Sequence, residues 1–139
     1  MQPRVQLALN VTDLEEGIAF YSRLLDAEPA KVKPGYANFA LDEPALKLVL
    51  IENEAGDRLN HLGIEVGSTE EVVSARTRIS EAGLPARDED GVTCCWATQD
   101  KVWVTDPDGA AWEVYTVLDD ADVGTDTGRA PAVAGCCST

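Results

Sequence analysis

The chain of 139 residues holds a single histidine, His61, and four cysteines set as two adjacent pairs, Cys94-Cys95 and Cys136-Cys137. An imidazole joined by a carboxylate and a further oxygen or nitrogen donor is a site for a divalent ion. Adjacent thiols do different work. Neighbours in sequence make strained disulfides, so each pair is expected as a free dithiol suited to a soft metal or metalloid. With one histidine, a site of two imidazoles and a carboxylate cannot form within one subunit. Gln6 and Glu113 are the candidates to complete it. Glu113 lies in the apolar run Trp112-Glu-Val-Tyr115, where an uncompensated buried carboxylate is costly and a bound cation would offset the cost. One imidazole, one amide and one carboxylate leave coordination positions open, which suits a catalytic ion better than a structural one. The residue types alone also admit blander readings. His61 can be a satisfied packing residue, Glu113 can pair with Lys101 or Arg58, and the cysteines can be small buried hydrophobes.

Position is what favours the trio, and position comes from an internal repeat. Gln6-Leu-Ala-Leu-Asn-Val11 and His61-Leu-Gly-Ile-Glu-Val66 are equivalent alternating stretches, each expected as a half-buried strand. Leu7, Leu9 and Val11 match Leu62, Ile64 and Val66 on the core face. Gln6, Ala8 and Asn10 match His61, Gly63 and Glu65 on a smaller, more polar face. Each strand feeds a helix through a capping box, Thr12-Asp-Leu-Glu15 and Ser68-Thr-Glu-Glu71. Leu14, Ile18, Tyr21 and Leu25 share one face of the first helix, and Val72, Ala75, Ile79 and Ala82 share one face of the second. Both helices stop near a proline, Pro29 and Pro85. Strands are expected around Tyr36–Leu41 and Leu46–Glu52 in the first half. In the second they fall around Thr93–Ala97, Lys101–Thr105 and Trp112–Val117, with Asp106-Pro-Asp-Gly109 a strong turn and Asp88-Glu-Asp-Gly91 a flexible loop.

The fold class is therefore α+β. Two βαβββ repeats, about residues 4–52 and 60–118, form one domain over 1–118 and leave a metal-holding cup between open mixed sheets. Residues 119–139, rich in Asp, Gly, Thr and Ala, read as a flexible acidic tail ending in the Cys136-Cys137 pair. In a regular strand Cys94 and Cys95 point to opposite faces, so both sulfurs reach one ligand only if the backbone is irregular there. The formal net charge of -14 opposes phosphate backbones and anionic lipid, so neither nucleic acid nor membrane is an expected partner. No basic segment leads into an apolar leader, and no apolar run reaches membrane-spanning length. The expectation is a cytoplasmic protein, monomeric or homodimeric.

The paired βαβββ units, the ligand positions opening the first strand of each repeat, and Asp106-Pro-Asp-Gly109 leading into Trp112-Glu113 resemble the vicinal-oxygen-chelate superfamily. That group includes glyoxalase I, extradiol dioxygenases and fosfomycin-resistance enzymes. The resemblance spans about residues 4–118 and implies a glyoxalase-like fold with Gln6, His61 and Glu113 as metal ligands. One departure stands out. Glyoxalase I takes a fourth ligand, a Glu, from the last strand of its first repeat, but Leu46-Lys-Leu-Val-Leu-Ile51 offers no carboxylate before Glu52. Three ligands fit the oxygen-activating members better.

Within that superfamily, Asn60-His-Leu-Gly-Ile-Glu65, Val92-Thr-Cys-Cys-Trp-Ala97 and Lys101-Val-Trp-Val-Thr-Asp-Pro-Asp-Gly109 look like the organoarsenical carbon–arsenic lyases, whose relatives are often labelled cadmium-induced proteins. The resemblance implies a substrate, a trivalent organoarsenical, bound by Cys94 and Cys95. It also implies Fe(II) and dioxygen as cofactor and co-substrate, with Ni, Co, Mn or Zn also able to occupy the site, and arsenite as product. Trp96, Lys101, Trp103 and Tyr115, with Tyr36 and Phe39, are candidate pocket or loop residues. Cys136 and Cys137 are candidate accessory thiols. Two other readings stay open: a non-catalytic cadmium- or arsenic-binding protein, and a glyoxalase-like or thiol-transfer resistance enzyme in which the cysteines have no role.

Overall fold

A computed structural model describes residues 2–54 and 56–120. The two expected repeats are both present. The first comprises β1 (Arg4–Val11), α1 (Leu14–Leu25), β2 (Lys31–Lys33), β3 (Tyr36–Asp42) and β4 (Ala45–Glu52). The second comprises β5 (Leu59–Glu65), α2 (Thr69–Glu81), β6 (Arg87–Cys94), β7 (Ala97–Thr105) and β8 (Ala111–Asp120). All eight strands form one mixed sheet in the order β2-β3-β4-β1-β5-β8-β7-β6. The halves are thus continuous, because the first strands of the two repeats pair antiparallel with Ala8 opposite His61. Each first strand also runs parallel to the last strand of its own repeat, β1 with β4 and β5 with β8.

The helices cover one face of this sheet. Leu14, Ile18, Tyr21 and Leu25 pack on Phe39, Leu48 and Leu50, while Ala75 and Ile79 pack with Val102, Val104 and Val114. Ala82 is the exposed C-cap of α2 and does not join that stripe. The opposite face of the sheet is the more deeply buried one at the centre. Gln6, Ala8 and Asn10 are at most 4% exposed, whereas Leu7, Leu9 and Val11 are only half-buried beneath α1.

Local chemistry explains the helix starts and the long turn, with one shift from expectation. α2 begins at Ser68 as expected: its hydroxyl accepts from Glu71 N, and Glu71 Oε2 accepts from Gly67 N at 2.8 Å. α1 begins one residue later than the Thr12 capping box, at Asp13, whose carboxylate accepts from Glu16 N at 3.1 Å. Aspartate outcompetes threonine here because it brings negative charge to the helix N-terminus as well as an acceptor. In the Asp106–Gly109 turn, Asp106 Oδ1 takes the amides of Asp108 and Ala110, and Gly109 sits at φ 93.

The 87–97 region differs most from the sequence reading. The expected flexible loop Asp88–Gly91 is the first half of β6, with its register broken between Glu89 and Val92 and Gly91 at φ 60. Ion pairs from Arg76 to Asp88 (3.3 Å) and Asp90 (2.8 Å) hold this acidic strand against α2. The expected strand Thr93–Ala97 is cut by a two-residue turn at Cys95-Trp96, flanked by the Cys94–Ala97 pair. β8 runs on to Asp120, two residues into the expected tail. The rest of that tail, including Cys136 and Cys137, lies outside the described residues. Among the described residues no helix is long and apolar enough to cross a membrane.

Candidate functional site

Three neighbouring strands of the central sheet deliver the three candidate ligands. β1 carries Gln6, β5 carries His61, and β8 carries Glu113, with Gly63 directly beside both Gln6 and Glu113 in the strand register. A side chain at Gly63 would collide with them: a Cβ there would stand 2.9 Å from Glu113 Cγ and 3.0 Å from Gln6 Nε2. The small residue that the alternation placed on this face is what gives the ligands room to converge. Glu113 Oε2 lies 2.8 Å from His61 Nε2 and 2.7 Å from Gln6 Nε2, and those two nitrogens are 3.2 Å apart. Donors around a cation at roughly 2.1 Å stand about 3 Å from one another when adjacent, so this spacing fits one shared divalent ion. As placed, Gln6 presents its amide nitrogen inward and its oxygen to the Tyr115 hydroxyl. A hydroxyl both donates and accepts, so Tyr115 serves either orientation of that amide.

Glu113 Oε1 is buried and has no aligned hydrogen bond, although Lys101 Nζ approaches it to 2.8 Å as an ion pair. Burial by itself would push the Glu113 carboxyl up. The Lys101 ammonium, then His61, outweighs it and holds the pKa down at about 2. The result is a carboxylate ionised at neutral pH with acceptor capacity left over, as a metal ligand requires. Among the described residues no three His, Cys, Asp or Glu side chains cluster as a metal site. This trio has two such residues and completes itself with an amide.

Around the trio the sheet curls over a cavity of about 290 Å³, lined among others by Tyr36, Asn38, Lys47, Cys95 and Gln99. Burial pushes the Tyr36 hydroxyl up to about 12, against the pull of the Asn38 hydrogen bond, and burial raises Tyr115 well above its ordinary value. Both phenols are therefore neutral hydrogen-bonding groups. Trp103 backs His61 edge-to-face with ring centres 5.4 Å apart, and its indole N–H donates to buried Glu89. Phe39, a candidate pocket wall by sequence, faces the other way and packs under α1.

The Cys95-Trp96 turn lies over this cavity. Both residues adopt left-handed backbone, φ 53 and 63, which non-glycine residues seldom accept. The backbone is thus irregular at the pair, the condition under which two adjacent sulfurs could share a ligand. Cys94 Sγ sits 3.4 Å from Lys101 Nζ, while Cys95 lines the cavity and packs beside Tyr36 and Val49. Lys31 Nζ donates to the Trp96 carbonyl at 3.0 Å and Lys33 stacks over its ring, tying the turn to β2. One expectation is corrected: neither Cys94 nor Cys95 is a free thiol here, since both are disulfide-bonded.

Sequence reasoning missed Glu65 and its partners. Buried Glu65 takes Arg4 at 3.3 Å and Lys47 at 3.2 Å, placing two cations at the cavity wall. The signal was present in strand parity: Glu65 shares its face with His61, as Lys47 does with Val49.

A family model described as the glyoxalase/bleomycin resistance protein/dioxygenase superfamily matches residues 4–114. The chain belongs to that superfamily. Among solved structures, a Mn(II)-bound glyoxalase from Novosphingobium aromaticivorans shares the fold with TM-score 0.61 at 22% identity, covering 91% of this chain and 44% of that one. Relatives within the superfamily are far closer in sequence. The cadmium-induced protein CadI of Mycobacterium tuberculosis is 65% identical over 120 residues, spanning 86% of this chain and 79% of that protein. A trivalent organoarsenical cleaving enzyme of Thermomonospora curvata is 58% identical over 121 residues, spanning 86% and 80%. These superfamily relatives match the sequence expectation of a glyoxalase-like domain akin to organoarsenical-cleaving proteins.

Proposed function

We propose that the protein is a lyase that cleaves the carbon–arsenic bond of trivalent organoarsenicals and releases arsenite, with Fe(II) as cofactor and dioxygen as co-substrate. The observation that carries this reading is the meeting of two unlike donor sets at one cavity. Gln6, His61 and Glu113 offer hard and borderline donors; Cys95 lines the same cavity as a soft one, and Cys94 beside it reaches Lys101, the ion-pair partner of Glu113. The 58% identical relative named as an organoarsenical cleaving enzyme supports it.

Cys94 and Cys95, once reduced, chelate trivalent arsenic, for which thiolates are much better ligands than oxygen. The Lys101 ammonium stands 3.4 Å from Cys94 Sγ, a donor beside one of the two sulfurs. Tethering by arsenic holds the carbon substituent over the cavity floor and converts an encounter into an oriented contact. Gln6, His61 and Glu113 are the proposed metal ligands. They would hold Fe(II), which when bound would supply dioxygen activation; Ni, Co, Mn or Zn would suit the same donors. Tyr36 and Tyr115, neutral at working pH, offer hydrogen bonds to polar groups in the cavity. The setting is a cytoplasmic protein, monomer or homodimer, acting on a small molecule rather than on nucleic acid or membrane.

The test is aerobic incubation of the reduced, Fe(II)-loaded protein with methylarsenite, following arsenic speciation over several turnovers. Catalytic arsenite is expected from the native protein and is lost in His61→Ala and in Cys94→Ser/Cys95→Ser. Stoichiometric arsenic or cadmium binding without a new arsenic species would replace the lyase with a non-catalytic sink. Activity that survives the double cysteine variant would point to a glyoxalase-like or thiol-transfer enzyme.

A further inference from the structure

Asn10 and Asn60 are not among the residues lining the cavity, yet they form one line of hydrogen bonds ending on His61. The Asp57 carbonyl accepts from Asn10 Nδ2. Asn10 Oδ1 accepts from Asn60 Nδ2 at 3.0 Å, and Asn60 Oδ1 stands 2.8 Å from His61 Nδ1. The direction of this line is set at its far end. A backbone carbonyl can only accept, so Asn10 must turn its NH₂ toward Asp57 and its oxygen toward Asn60. Asn60 must then donate to Asn10 and turn its own oxygen to the imidazole. An oxygen facing Nδ1 demands a proton there.

We propose that Asn60 and Asn10 are positioning residues that keep the His61 proton on Nδ1 and so leave Nε2 for a metal ion. This rests on the reading of His61 as a ligand. The opposing pull is visible in the same site. Glu113 Oε2, 2.8 Å from Nε2, is a charged acceptor, and charged acceptors make the stronger hydrogen bonds. A neutral imidazole has one N–H to give. Left to that competition, the proton moves to Nε2 and covers the lone pair a metal needs. The amide line biases the ring the other way, from a main-chain atom in the segment that joins the two repeats.

The joining segment is built for this contact. Asn10 N donates to the Arg58 carbonyl at 2.8 Å, so main chain and side chain of Asn10 are both tied to residues 57 and 58. Gly56 stands where a Cβ would approach Asn10 Nδ2 to 2.7 Å. Any side chain there displaces the amide that sets the direction of the line. Asn10 itself is 4% exposed, so water has little access to substitute for a lost partner.

His61 is the sole histidine, so nitrogen NMR of labelled protein reports one imidazole and no other. In metal-free native protein a slowly exchanging proton is expected on Nδ1. Asn60→Leu is expected to lose it to Nε2 and to weaken Zn²⁺ binding, measured by chelator competition, by about 10–100-fold. Asn60→Asp retains an acceptor and is expected to keep both the Nδ1 proton and near-native zinc affinity. Gly56→Ala, distant from every candidate ligand, is expected to speed exchange of the Nδ1 proton and weaken zinc binding. A folded Asn60→Leu protein with the Nδ1 proton and zinc affinity intact would overturn the proposal. So would an Asn60→Asp variant as impaired as Asn60→Leu, which marks a purely structural role. Zinc that leaves the native His61 signals unmoved instead overturns the metal reading, and the Nδ1 proton in the metal-free variants then judges the relay by itself.

Discussion

Lys101 is the residue on which the two chemistries of the cavity converge. It is 1% exposed, 2.8 Å from Glu113 and 3.4 Å from Cys94, and its ammonium lies 5.4 Å from the Trp103 ring centre. A buried charge survives only with a partner, and Lys101 and Glu113 supply one another. Removing one member leaves the other uncompensated. Lys101→Met is therefore expected to destabilise the metal-free protein by roughly 3–5 kcal/mol in urea unfolding, far more than its lost apolar contacts. Bound divalent ion should recover much of that loss by neutralising Glu113, so the same variant measured with excess zinc is expected to be markedly less destabilised. Lys101 was legible in the sequence as a partner for Glu113. Its second contact, to Cys94, was not, because that contact depends on β6 and β7 pairing with a turn at residues 95–96.

Elements set which of several similar residues does a job. At the start of α1, Thr12 and Asp13 are both competent caps, and the chain uses Asp13. The backbone reaches helical geometry one residue later than the Thr12-Asp-Leu-Glu15 pattern implies, after β1 has finished its parallel ladder with β4 through Val11. Asp13→Ala is accordingly expected to cost about 1 kcal/mol of thermal stability, and Thr12→Ala a few tenths at most. Equal costs in a pair of melting curves would put the cap back at Thr12. The β6–β7 hairpin shows the same logic on the functional side. Alternation alone set Cys94 and Cys95 on opposite faces. A turn with two left-handed residues, held by Lys31 and Lys33 from β2, instead leaves Cys95 lining the cavity and Cys94 buried against Lys101.

At the scale of the whole molecule, the repeats meet along the β1–β5 pair, and the candidate ligands straddle that seam. An ion bound by Gln6 and His61 would clamp one repeat to the other. A ligand of the native state stabilises by mass action, about 2.7 kcal/mol at a concentration one hundred times its dissociation constant. Calorimetry is expected to show a single transition for the residues 4–120 domain that rises with added divalent metal. The rise is expected to vanish in His61→Ala and in Gly63→Ala, where a Cβ crowds Gln6 and Glu113. Two separate transitions, or a rise that persists in both variants, would remove the shared ion from the seam.

The two repeats, their helices and most of their strands, and the face on which Gln6, His61 and Glu113 lie were legible in the sequence alone. These follow from period-two and helical spacing, capping residues and turn residues, all of which act over a few neighbouring positions. The short β2 and the start of β6 were not legible there. Tertiary structure alone decided that the halves form one continuous sheet and that the acidic 88–91 segment is a strand held by Arg76. It also decided that buried Glu65 pairs with two half-buried cations and that Asn10 and Asn60 join a backbone carbonyl to His61. Each of these rests on at least one contact between residues far apart in sequence, up to 61 positions for Arg4 and Glu65. No local pattern encodes the distance and direction of such partners, and their value arises only once folding has excluded water from around them.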